Sequence, residues 1–107
     1  MAIKVTSTYV REDADQKWYW ETDDGKAGID DFNAYKKENF LDNNKKVATT
    51  QSLSEDELTL TVVRQYTSED DLHEFNTDST VVARVKLISD YNASNDITYT
   101  KVSVEEV

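Results

Sequence analysis

One histidine, three arginines and a set of aromatics are the residues of this chain best suited to chemistry or recognition. His73 is the only histidine. Imidazole titrates near neutrality, the range a general base needs. A lone histidine makes no metal site without carboxylate help, and His73 suits the exposed side of an acidic helix equally well. Trp18, Tyr19, Trp20, Phe32, Tyr35, Tyr66 and Phe75 are the aromatics expected around a cavity. Aromatic walls suit apolar or aromatic small molecules. The same side chains would serve a core or an interface between copies. Arg11, Arg64 and Arg84 are the only arginines. Arg64 continues the face of Leu58, Leu60 and Val62, so it is placed to point inward. There it would hold a ligand carboxylate in bidentate geometry or pair with one of the many acids.

Other chemistries are excluded by what the chain lacks. It has no cysteine, which removes disulfides, thiolate catalysis, iron–sulfur clusters and Cys-based zinc sites. Asp23-Asp24-Gly25 lacks the spaced oxygens and closing Glu of a calcium loop. The acidic clusters therefore read as turns, helix caps and a solvated face, and no metal is expected. No phosphate-binding glycine loop, dinucleotide fingerprint or Gly-x-Ser-x-Gly elbow occurs, so no cofactor is expected either. The formal net charge is −10, with 22 acidic against 12 basic residues. Such a field repels nucleic acid and anionic membranes. No apolar run reaches the length of a membrane span, and Met1 to Thr6 alternates rather than forming a signal peptide. A cytoplasmic location is the expectation.

The elements that must position these residues follow from periodicity. With 107 residues and 37% hydrophobic content, one domain over 1–107 with a thin core is expected. A second copy would supply missing burial. Residues 3–12 alternate as a strand, with Ile3, Val5 and Tyr9 on one face. A polar turn and an aromatic strand, Lys17 to Glu21, complete an N-terminal hairpin with Trp18 and Trp20 on one face. Thr22 to Gly28 reads as a loop, and Asp30 or Asp31 as the cap of a helix running to about Leu41. Its stripe is Ile29, Phe32, Tyr35 or Lys36, and Phe40. Strands at Lys45 to Leu53 and Leu58 to Thr67 form a hairpin. Ser68 then caps a helix with three acids in its first turn. That helix breaks near Asn76 to Ser79, restarts with Asp78 as a new cap, and ends between Tyr91 and Asn95. The last strand, Ile97 to Val104, switches its apolar face near Lys101, the mark of a bulge.

The class is α+β, and the order of main elements is β-α-β-β-α-β, the ferredoxin-like split. From Ile3 to Val104 this order and length resemble the dimeric ferredoxin-like superfamily, the dimeric α/β barrels that include antibiotic-biosynthesis-monooxygenase-like proteins. The resemblance implies an antiparallel sheet with two helices on one face, a homodimer formed face to face between sheets, and a pocket between each sheet and its own helices. It carries no catalytic residue over, because functional residues vary in this group. A haem-handling relative would want a histidine as axial ligand, and His73 is the one candidate. Three functions follow. The first is binding of an apolar, aromatic or fatty-acid-like small molecule by Trp18, Trp20, Phe32, Tyr35, Arg64, Tyr66 and Phe75. The second is a cofactor-independent monooxygenase or isomerase-type enzyme, with His73 as base and Tyr66 or Tyr35 as donor. The third is a structural or assembly protein whose aromatics serve only the dimer interface.

Overall fold

A computed structural model describes residues 2–107. Four strands form one antiparallel sheet in the spatial order β2-β3-β1-β4. They are β1 (Ile3–Val10), β2 (Lys46–Leu53), β3 (Thr59–Tyr66) and β4 (Thr98–Glu106). The crossover between β1 and β2 carries α1 (Asp23–Lys36), continued by a wide π-turn at Lys37–Leu41. The crossover between β3 and β4 carries α2 (Glu69–Thr77) and α3 (Ser79–Ser94). This is the ferredoxin-like split βαβ arrangement, with the second helix in two pieces.

Alternation in β1 buries Ile3, Val5, Ser7 and Tyr9 against the helices. The buried side chains form two clusters on that side of the sheet. One joins Ile3, Val5, Phe40, Tyr66, Phe75 and Val81. The other joins Tyr9, Trp18, Leu60, Val62 and Ile97. On the opposite face the central strands β1 and β3 present Thr6, Thr8, Thr59 and Thr61, all half-buried, with Val63 beside them. That face is open and rich in hydroxyl groups.

The N-terminal hairpin does not form. Lys17 and Trp18 form an irregular stretch with Trp18 extended, and a 3₁₀ turn follows at Tyr19–Glu21. The reason lies in the sheet order: β1 is an inner strand, paired along its length with β3 on one side and β4 on the other. It has no free edge for a further strand. The aromatics fold back instead. Trp18 stacks on Trp20 at 6.0 Å, Trp20 meets the edge of Tyr9 at 5.7 Å, and the Arg11 guanidinium lies 4.4 Å from the Trp18 ring centre. Trp18 and Tyr19 are both buried.

Helix α1 starts seven residues before Asp30. Thr22 is its cap, its hydroxyl accepting the Gly25 N–H at 3.0 Å, with Asp23 and Asp24 in the first turn. The two glycines, which read as loop punctuation, instead lie inside the helix. At Gly25 the backbone passes so close to the preceding turn that a Cβ would sit 1.9 Å from the Tyr19 carbonyl oxygen. The second crossover behaves as the pattern predicts. Ser68 accepts from the Asp71 N–H and caps α2, and Asp78 accepts from Thr80 and Val81 and starts α3.

Two irregularities set which strand residues face the helices. In β4 the pairing jumps from Thr6–Ser103 to Ser7–Lys101, leaving Val102 unpaired. This is the bulge expected near Lys101. It lets Tyr99 and Lys101 before it and Val104 after it share the helix-facing side. In β2 the pairing jumps from Tyr66–Lys46 to Gln65–Ala48. That shift places Lys46 beside Tyr66 on the helix side, where unbroken alternation from Thr50, paired with the outward-facing Val63, would have turned it outward.

Candidate functional site

A cavity of about 720 Å³ lies between the sheet and the three helices, within the usual range for small-ligand sites. Its apolar wall comes from every layer. Val5 and Tyr9 rise from β1, Phe32 from α1, Phe75 from α2, and Val81, Val85 and Ile88 from α3. It opens between α3 and β4, where Val82, Val85, Tyr99 and Val104 are about half exposed.

Five basic side chains also face this cavity: Lys36, Lys46, Arg64, Arg84 and Lys101. No aspartate or glutamate lies on its wall among the described residues. Lys46 is only 5% exposed, and its ammonium lies 4.6 Å from the Phe75 ring centre and 5.6 Å from that of Tyr66. Burial, reinforced by the charges of Lys36 and Arg64, lowers the Lys46 pKa to about 7. Lys36 is lowered for the same reason, by burial first and then by Arg64 and Arg84. Tyr66 is pushed up to about 12, chiefly by burial, so its phenol keeps its proton at ordinary pH. Arg84 is tied down: its guanidinium donates to the Gly25 carbonyl at 3.0 Å and lies over Tyr19 and Phe32.

The structure brings together some of the residues singled out from sequence and separates others. Phe32, Arg64, Tyr66 and Phe75 are on the cavity wall. Trp18 and Trp20 pack beside Tyr9 in the second core cluster and do not line the cavity. Tyr35 also lies off the wall, donating its hydroxyl to Asp78 at 2.6 Å and so tying α1 to the start of α3. His73 is on the exposed side of α2, away from the cavity. A base at His73 would need access to the cavity that this placement does not provide. Lys36, Lys46, Arg84 and Lys101 are the basic wall residues that the sequence pattern did not assign to the site. Lys36 was legible as an alternative member of the α1 stripe. Lys46 was not, because the pairing shift in β2 decides its direction.

No protein-family model matches the chain, and no curated protein matches it at a significant level. Solved structures do. A candidate antibiotic biosynthesis monooxygenase from Caulobacter crescentus CB15 superposes with a TM-score of 0.60 at 17% identity, covering 95% of this chain and 90% of that one. The Rv0793 protein of Mycobacterium tuberculosis gives 0.56 at 9% identity over 100% of this chain and 98% of that one. A candidate antibiotic biosynthesis monooxygenase from Deinococcus radiodurans gives 0.51 at 10% identity over 100% and 95%. The chain has their ferredoxin-like fold. At these identities the likeness is one of architecture. Among the described residues, no group of three His, Cys, Asp or Glu side chains is placed to hold a metal ion. No described helix is long and apolar enough to cross a membrane.

Proposed function

We propose that this chain binds a small apolar or fatty-acid-like molecule in the cavity between sheet and helices. The observation that carries the reading is the cavity itself: about 720 Å³, walled by Phe32, Tyr66, Phe75 and the aliphatic face of α3, with Arg64 as a polar anchor. A pure assembly role for the aromatics is less well supported, since Trp18 is already buried within one copy of the chain. A cofactor-independent monooxygenase or isomerase-type enzyme is the second reading, resting on the Tyr66 phenol beside Lys46 in the cavity. Pairing with a second copy across the open face of the sheet belongs to the same proposal.

Native mass spectrometry of freshly purified protein, before and after organic extraction, reads both parts. A mass of two chains with a reproducible extractable adduct is the expected result. Isothermal titration with decanoate and with decanol then measures affinity directly, with an expected Kd below about 100 μM. Val85→Trp should abolish the heat, because Val85 stands half exposed on the cavity rim and the larger ring fills the opening. Absence of binding by both compounds at millimolar concentration would overturn the reading.

A further inference from the structure

We propose that the cavity is built for a ligand whose head carries two negative charges, such as a phosphate monoester or a dicarboxylate, seated among Lys36, Lys46 and Arg64 beneath an apolar tail. This rests on the small-molecule reading above and specifies the ligand's charged end.

A buried ammonium without a carboxylate partner is strongly disfavoured and is normally paired. Lys46 is 95% removed from solvent by the 5% exposure it retains. Among the described residues its ammonium makes no salt bridge, although the chain has 22 acidic residues to offer, and since no fully buried side-chain nitrogen lacks a partner, the ammonium reaches the open space of the cavity. Its neighbour Lys45, one residue earlier, takes Glu74 at 2.8 Å on the surface. Acids are therefore within the fold's reach and are kept off the cavity wall.

Like charges stand beside Lys46 where an acid would relieve it. Lys36 arrives from α1 and Arg64 from β3, and both act on Lys46 electrostatically. Arg84 from α3 and Lys101 from β4 stand further round the same wall. The other titratable groups facing this space are the phenols of Tyr9, Tyr66 and Tyr99, which are neutral when protonated. A single carboxylate would neutralise one of three clustered cations and leave the others repelling. A dianion accepts charge-assisted hydrogen bonds from several of them at once. Val81, Val85 and Ile88 continue the wall toward the opening and suit a hydrocarbon tail.

Binding of such a head also returns Lys46 to its charged form, so the complex takes up protons near neutral pH. Lys46 stands near half-protonation at about pH 7 without a ligand, and an adjacent dianion favours its ammonium.

The test compares decyl phosphate with decyl sulfate at pH 8. The two have matched tails and tetrahedral heads, and only the phosphate is mainly dianionic there. Calorimetry should show the phosphate binding at least about tenfold more tightly, on the scale of one additional charge-assisted hydrogen bond. The Lys36→Gln, Lys46→Gln double variant should bring the two within about threefold of each other, with its fold checked by circular dichroism. Titrations in buffers of different ionisation enthalpy should show proton uptake by the wild type and its loss in Lys46→Gln alone. Equal affinities for the two anions in the wild type, or a preference unchanged in the double variant, would overturn the proposal while leaving decanol and decanoate binding intact. If decanol, decanoate and both decyl anions all fail to bind, this proposal and the small-molecule reading fall together.

Discussion

Lys46→Met is expected to unfold at a higher urea concentration than the wild type at pH 6.5, with an advantage that fades as the pH is raised toward 10. The wild-type ammonium is buried against Phe75 and Tyr66 with like charges beside it. Its folded pKa of about 7 lies below the ordinary lysine value of 10.5. Below pH 7 both folded and unfolded chains hold the proton, and the folded state bears the full cost of burying it. Between pH 7 and 10.5 the unfolded chain binds more protons, so wild-type stability rises with pH. Above that interval both states are neutral and the cost is gone. Replacing a poorly compensated buried charge by an apolar side chain of similar length typically stabilises by about 1–4 kcal/mol. Roughly 2 kcal/mol at pH 6.5 is the expected gain, read from denaturation at several pH values. A variant less stable than the wild type across the whole range would refute this account of Lys46. A gain in stability coupled to loss of anion preference would mark Lys46 as a residue retained for recognition at the expense of folding.

Gly25→Ala should be among the most damaging single-methyl additions to this protein. The new Cβ would lie 1.9 Å from the Tyr19 carbonyl oxygen, 2.7 Å from its carbonyl carbon and 2.9 Å from the Trp20 Cα. All three are backbone atoms and cannot swing aside as a side chain would. The first turn of α1 must therefore lift away from the Tyr19–Glu21 turn. Lifting it strains the Thr22 cap and the Arg84 bond to the Gly25 carbonyl. Overpacking of this kind costs about 3 kcal/mol or more. Gly28→Ala is the matched control. Its Cβ would meet only an Arg84 guanidinium nitrogen, at 3.3 Å, the far end of a flexible side chain. Alanine also favours a helix interior over glycine by about 1 kcal/mol, so Gly28→Ala should be neutral or mildly stabilising. Chemical denaturation of the pair decides the matter: equal stability of the two variants would show that the close approach at Gly25 does not constrain the fold.

Much of the architecture was legible because it rests on local signals. Alternation in β1, the Ser68 and Asp78 caps and the face switch near Lys101 are properties of a few neighbouring residues each. The aromatic segment at Trp18–Glu21 was misread because strand propensity there is overridden by sheet order. Whether an edge of β1 is free depends on β3 and β4, tens of residues away. The start of α1 was missed for a related reason. Thr22-Asp23-Asp24 is a legible cap, but glycines at 25 and 28 suggest a loop unless close approach to Tyr19 is known. At the candidate site, Phe32, Tyr66 and Phe75 follow from period and chemistry, and the bulge beside Lys101 is written in its face switch, while Lys46 faces inward through a pairing shift in β2 that no residue pattern announces.

The distribution of charge has a kinetic consequence. The chain carries a net charge of −10 although five cations face its cavity, so the residues elsewhere hold a still larger negative excess. An anion diffusing toward the mouth between α3 and β4 meets repulsion first and attraction only within the cavity. Screening by salt shortens the range of that outer field, with a Debye length near 8 Å at physiological ionic strength. Added salt should therefore quicken association, the reverse of the usual behaviour of steered ligands. It should also hasten release from the cation cluster, so that exchange becomes faster in both directions while occupancy falls.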